Sequence, residues 1–161
     1  MGELIKVGMA DINTCVPPQG ITTLGLGSCV GVVLYDAVKK VSGMVHVMLP
    51  DSNTIRNNAN PAKFADTGVA LLYDKVIAMG ADKRRIQAKI AGGAQMFVFS
   101  SGNDMLRIGD RNVQAVKEQL KKLNIPIVAE DTGLNYGRTI EFYPENQKLI
   151  VKSVGKPLKV L

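Results

Sequence analysis

Short apolar runs alternate with polar, glycine-bearing turns along most of this chain, and that rhythm predicts more strands than helices. Residues 4–10 alternate loosely and read as a first strand, and 11–20, with Pro17, Pro18 and Gly20, reads as a loop. A short strand over 21–24 leads into Gly25-Leu26-Gly27-Ser28. Apolar runs at 29–35 and 41–48, divided by a polar turn, predict a hairpin; 86–91, 125–129, 139–143 and 148–154 read as further strands. Helical spacing takes over in two stretches. Ala65, Val69, Leu72, Val76 and Met79 recur on one face, with Asn60 as cap, Pro61 as first residue and Gly80 as stop. Val113, Val116, Leu120 and Leu123 form a second stripe after Asp110, which can cap it, and Lys117, Lys121 and Lys122 lie outside it. Met96-Phe97-Val98-Phe99 reads as core, followed by a loop over 100–104. Two helices against about eight strands predict an α+β fold, with helices over a mixed, mostly antiparallel sheet. No repeat or linker divides the chain, so one domain over 1–161 is expected.

The predicted hairpin carries the most informative residues. Cys29 follows a Gly-x-Gly-Ser turn and opens the first arm, and His46 lies in the second. Pairing Asp36 with Val41 sets Gly31 opposite His46 and makes Cys29 the diagonal neighbour of the imidazole on the same face. Diagonal neighbours stand roughly 7–8 Å apart between Cα atoms, within reach of a thiol and a ring. Glycine at position 31 leaves space beside the imidazole.

Composition narrows the function classes. At 161 residues and 46% hydrophobic, the chain can bury a sizeable core. It has no apolar stretch of the roughly 20 residues a spanning helix needs. Its start lacks a signal-peptide profile, and Lys6 stands where a myristoylation motif has Ser or Thr. Membrane insertion is therefore not expected, and a reducing cytoplasm is. Cys15 and Cys29 then read as free thiols, Cys15 as a packing residue. The net charge of +6 is scattered, and its tightest cluster, Lys83-Arg84-Arg85, has no aromatic neighbour. That argues against a nucleic-acid partner and for an acidic protein surface.

A thiol beside an imidazole supports nucleophilic catalysis, with the pair ionised as thiolate and imidazolium. The chain has a single histidine, so His46 is the only candidate base. Backbone N–H groups around Gly27, Ser28 and Cys29 suit an oxyanion. Thr23 is a candidate for orienting the ring, through its hydroxyl or its carbonyl. Gly92-Gly93 lets the chain pass close to something and joins the candidate substrate or oxyanion region, but neither it nor Gly25-x-Gly27 completes a nucleotide-binding motif. The polar loop 57–60 is a candidate wall of the site.

Three groups of residues carry a family resemblance: Thr23-Leu24-Gly25-Leu26-Gly27-Ser28-Cys29, Val45-His46-Val47-Met48-Leu49-Pro50-Asp51, and Ala88-Lys89-Ile90-Ala91-Gly92-Gly93-Ala94. With Lys63-Phe64-Ala65-Asp66-Thr67, Ile108-Gly109-Asp110-Arg111-Asn112, Ala129-Glu130-Asp131-Thr132-Gly133 and Gly137-Arg138, they resemble the chemoreceptor glutamine deamidase family, CheD, in order over nearly the whole chain. The resemblance implies an α/β/α layered fold and deamidation of glutamines on the cytoplasmic helices of methyl-accepting chemotaxis receptors. It implies Cys29 as nucleophile, His46 as base and Thr23 as orienting residue. It also implies no metal or organic cofactor, and a protein partner, the CheY-phosphate phosphatase CheC. The alternatives are a non-catalytic adaptor for phosphatase and receptors, and a cysteine protease. The protease is disfavoured because no Asn or Asp is visibly placed to orient His46.

Overall fold

The computed structural model describes residues 2–54, 58–95 and 107–161. The apolar cluster at 96–99, the loop at 100–104 and part of the polar loop around Asn57 lie outside them. Ten strands and two α-helices are seen among the described residues. The strands are β1 (Leu4–Val7), β2 (Ile12–Cys15), β3 (Gly20–Leu26), β4 (Val30–Asp36), β5 (Val41–Val47), β6 (Gln87–Gly92), β7 (Ile127–Thr132), β8 (Arg138–Tyr143), β9 (Lys148–Lys152) and β10 (Lys159–Val160). The helices are α1 (Ala65–Ala78) and α2 (Ile108–Lys122). The α+β class is as the chain pattern predicts.

The strands form two five-stranded sheets, ordered β1-β3-β8-β9-β10 and β2-β5-β4-β6-β7. Each has one parallel pair, β1 with β3 and β6 with β7; the other pairs are antiparallel. Burial explains the layering. Every position of β4 and β5 is buried, so both faces of this hairpin must be covered. Val30, Val32, Leu34, Val45 and Val47 face α1 and α2 through Val69, Leu72, Val76, Val116 and Leu120. Val33, Tyr35 and Met44 face the first sheet through Ile21, Leu26, Ile140 and Phe142. β8 alternates buried and half-buried residues, as a strand with one covered face should. The layers are therefore sheet, sheet, helices. This differs from the α/β/α order implied by the resemblance, because both helices share one face of the second sheet.

Three element boundaries also depart from expectation. Residues 12–15, expected as loop, pair with β5 as an edge strand. Pro61–Lys63 forms a 3-10 turn capped by the Asn60 side chain, and α1 starts anew at Ala65. Phe64 between them is extended, fully buried and bridged to Leu49, so burial of the ring overrides continuous helix. Asp110 lies inside the first turn of α2 instead of capping it. A carboxylate there still complements the positive end of the helix.

Candidate active site

The hairpin register places the predicted pair. Asp36 pairs with Val41 and Gly31 with His46, which sets the imidazole on the face that looks into the space between the sheets. Cys29 lies one residue before β4, in the turn that carries the chain from the first sheet to the second. It packs in the same inter-sheet cluster. A bulge prepares this turn. Thr23 pairs with Ile140 and Leu26 with Arg138, so β3 carries one residue more than β8 over that interval. The bulge turns Leu24 outward, and Gly25 supplies the left-handed φ of 71° that it needs.

Thr23 and His46 meet across the two sheets. Thr23 Oγ1 lies 2.7 Å from His46 Nδ1 and donates its proton to the Val7 carbonyl at 2.8 Å. A hydroxyl has one proton to give, so toward the ring it acts as acceptor. Nδ1 therefore carries the ring hydrogen, and Nε2 is left with its lone pair. The contact with the ring is thus made by the Thr23 hydroxyl, not by its carbonyl. Nε2 is buried and without a hydrogen-bond partner among the described residues. The ring's backbone is held as well, by Ala10 N–H to the His46 carbonyl at 3.0 Å and His46 N–H to the Asp11 carbonyl at 3.1 Å. Gly31 makes the cross-sheet contact possible: a Cβ there would stand 2.7 Å from Ile140 Cδ1 and 3.2 Å from Leu26 Cδ1.

Burial sets the charge state. It pushes the Cys29 thiol up, partly offset by the residue's own backbone N–H, and it pushes the His46 imidazole below its usual 6.5. Burial therefore favours the neutral form of each group. That works against the ion pair expected for a thiol beside an imidazole, because the inter-sheet space penalises both charges.

The four glycine-turn residues have distinct positions. The Gly27 amide is turned to the Gly25 carbonyl at 3.1 Å, whereas the amides of Ser28 and Cys29 have no backbone acceptor among the described residues outside the strand ladders. The Gly93 amide goes to the Cys29 carbonyl at 2.8 Å, and the Ala94 amide to the Gly27 carbonyl at 2.8 Å. Gly92 has φ 111°, and a Cβ on it would collide with the Cys29 carbonyl. Gly92 and Gly93 thus lie beside the site; Gly92 allows the close approach of the Cys29 carbonyl, and Gly93 holds that carbonyl and has no N–H left for an oxyanion.

Residues 48–153 match the family model described as CheD chemotactic sensory transduction. The chain is 69% identical over 159 residues to the probable chemoreceptor glutamine deamidase CheD of Lachnoclostridium phytofermentans, covering 99% of both chains. It is 58% identical to the chemoreceptor glutamine deamidase CheD of Halalkalibacterium halodurans, over 96% of each. With that of Bacillus subtilis the identity is 50%, over 98% of this chain and 96% of the relative. This chain belongs to the CheD family. Among solved structures, the Bacillus licheniformis hypothetical protein YfiH has a TM-score of 0.41 and 18% identity over 72% of this chain and 51% of its own; that likeness is slight. No described helix is long and apolar enough to cross a membrane.

Within this family member the structure adds residues that sequence reasoning missed. Val7, on β1, supplies the carbonyl that settles the His46 tautomer. Asn112, on α2, is fully buried and donates from Nδ2 to the carbonyls of Ser28 at 2.9 Å and Met48 at 3.0 Å. A readable signal existed: Asn112, Val116 and Leu120 are spaced four apart, so a polar residue shares the buried stripe of α2. Arg138, also buried, bonds Asp131 at 3.2 Å and the Gly133 carbonyl at 3.0 Å, tying the loop after β7 to the site.

Proposed function

We propose that this protein deamidates glutamine side chains of chemoreceptors, with Cys29 as nucleophile, His46 as general base and acid, and Thr23 as the residue that orients the ring. The observation that carries this reading is the Thr23 hydroxyl: its proton is committed to Val7, so the lone pair of His46 sits on Nε2, the nitrogen free for chemistry. The names of the relatives supply the substrate class.

The reaction starts from the neutral pair. As Sγ attacks the glutamine Cδ, its proton passes to Nε2, and the carbonyl oxygen becomes an oxyanion facing the Ser28 and Cys29 amides. The imidazolium returns the proton to the nitrogen as the C–N bond breaks, and ammonia leaves a thioester on Cys29. Water then attacks the thioester, giving its proton to Nε2; the C–S bond breaks, sulfur takes the proton back, and glutamate is released. The charge that burial disfavours in the free protein arises only while the substrate supplies an oxyanion and a closed environment for it.

Leu24 on the bulge and Leu134 beyond β7 are both more than half exposed, which suits docking on the surface of a receptor helix. The net charge of +6 favours an acidic one. Binding of a CheC-type phosphatase, and action in the cytoplasm, belong to the same reading through the family resemblance.

The test is incubation of a receptor cytoplasmic fragment with the wild type and with Cys29→Ala, read by peptide mapping and ammonia release. Glutamate at defined glutamine positions with the wild type alone is the expected result. A folded wild type that converts none of several receptor fragments would overturn the reading in favour of a non-catalytic adaptor.

A further inference from the structure

Asn112 stands outside the Cys29–His46–Thr23 set, yet it touches the backbone of both arms that hold the pair. Its acceptors are the carbonyl directly before the nucleophile and the carbonyl of Met48, two residues after the base. Both are acceptors only, so the amide nitrogen must face them and both of its protons are used. Oδ1 is buried with no partner among the described residues. Leaving a buried acceptor unpaired is costly, and such a cost is usually tolerated for a role elsewhere.

The peptide plane converts this contact into chemistry. In a trans peptide the C=O and the following N–H point in opposite directions. Asn112 draws the Ser28 carbonyl toward the helix layer, so the Cys29 N–H is turned the other way, to the inter-sheet side where the thiol lies. That same N–H acts on the sulfur and holds the thiol down against the effect of burial. Gly93, just past the end of β6, secures the next carbonyl, that of Cys29. Both peptides that flank the Cys29 Cα are therefore fixed, the one that carries its N–H by α2 and the one that carries its carbonyl by Gly93.

We propose that Asn112 is a positioning residue for the reaction: by clamping the Ser28 and Met48 carbonyls to α2, it aims the Cys29 N–H at the reacting centre and keeps the nucleophile turn in register with the His46 arm. The proposal rests on the deamidase reading for its effect on turnover, but its effect on the thiol does not need that reading.

Asn112→Asp, nearly isosteric, and Asn112→Ala are compared with the wild type. The expected result is a fall in kcat of about 10–100-fold with KM within about twofold, since a catalytic donor is misaimed and substrate binding is not. The Cys29 thiol pKa, taken from the pH dependence of its alkylation in a Cys15→Ala background, should rise together with it. A thiol pKa that is unchanged or lower, or an unchanged kcat, would overturn the proposal even if the melting temperature falls. Should neither variant fold, the wild type decides: a through-hydrogen-bond coupling from Asn112 Nδ2 to the Ser28 carbonyl carbon is expected by NMR, and its absence rejects the clamp. A wild type that deamidates nothing counts against the deamidase reading alone, and the thiol comparison still decides the role of Asn112.

Discussion

The two ends of the β4–β5 hairpin are built on opposite principles. At the turn end, Asp36 is fully buried and every part of its carboxylate is used: Oδ1 accepts from the amides of Val38 and Lys39 and from Arg85 Nε, and Oδ2 from the Asp82 amide and Arg85 Nη2. Burial alone would raise its pKa, but Arg85 and the three amides outweigh it and hold it at about 2. At the open end, the buried Nε2 of His46 and Oδ1 of Asn112 have no partner among the described residues, and burial disfavours the charged form of both the thiol and the imidazole. The same two strands thus carry a saturated polar cluster and an unsaturated one. Saturation stabilises; unsaturation leaves capacity for a substrate's charges and protons.

Substitutions at the open end should therefore remove activity and spare the fold, and those at the turn end should do the reverse. The largest effect is expected from Cys29→Ala, a loss of about 10⁴-fold or more in deamidation with a melting temperature within a few degrees of wild type. Cys15 is the internal control. It is also buried, but its sulfur faces Ser42 Oγ at 3.2 Å. Cys15→Ala should leave kcat within about twofold. Equal losses from the two cysteines, measured side by side on one receptor fragment, would erase the distinction between the ends.

Arg85→Ala comes next. It strips the buried Asp36 carboxylate of its charged partner while the amides remain, and a buried charge left without its counter-ion destabilises the fold. Urea unfolding should show that loss, and kcat in the folded protein should be unchanged. The Asp36 contribution is present above pH 3.8 and is lost as pH falls through about 2, since the folded value is depressed. Arg85→Ala should accordingly flatten the acid limb of the stability curve, and an acid limb identical to wild type would break the assignment.

Thr23→Val tests the cross-sheet bond. Valine fills the same volume but leaves Nδ1–H without its acceptor, which frees the ring to take the other tautomer. A loss of about 10–100-fold in kcat is expected, with Thr23→Ser retaining most of the activity. A Thr23→Val enzyme as active as wild type would show that the ring needs no orienting group.

Which of these features the sequence revealed follows from how local they are. The pairing of Gly31 with His46 depends only on alternation and one turn, and it was readable from the hairpin. β2 was not, because Asn13 and Thr14 give the strand polar positions and its partner β5 lies well downstream. The layering was half visible: largely apolar runs mark β4 and β5 as buried strands, but what covers them depends on β3, β8 and β9 pairing with one another. Thr23 could be picked out by its motif. That its hydroxyl and not its carbonyl meets the ring depends on Val7 in a different strand. Asn112 lay furthest from view, since nothing in α2 shows which carbonyls it will reach.

The smallest effect, and the finest probe of the comparison, is the pH dependence of the open end. His46 is held below its ordinary value of 6.5 by burial, so its folded state stays neutral where an exposed histidine would begin to charge. The base form that the proposed reaction uses for its first proton transfer therefore persists into mildly acidic solution, and the acid limb of kcat/KM, which reports the free enzyme, should fall below pH 6.5. The same depression makes a small stability contribution that is complete above pH 6.5 and is lost as pH falls through the folded value, because there the unfolded chain binds the proton more readily. Replacing Gly31 by Ala should oppose both effects in one step. The added methyl would push Ile140 and Leu26 away from the hairpin and loosen the cover over the imidazole. Water would then reach the ring, its pKa would climb back toward the ordinary value, and the acid limb would move to higher pH. An acid limb that lies above pH 6.5 in the wild type would mean that burial does not control the charge of His46, since a ring that holds its proton more tightly than usual must lose it at higher pH before it can act as base.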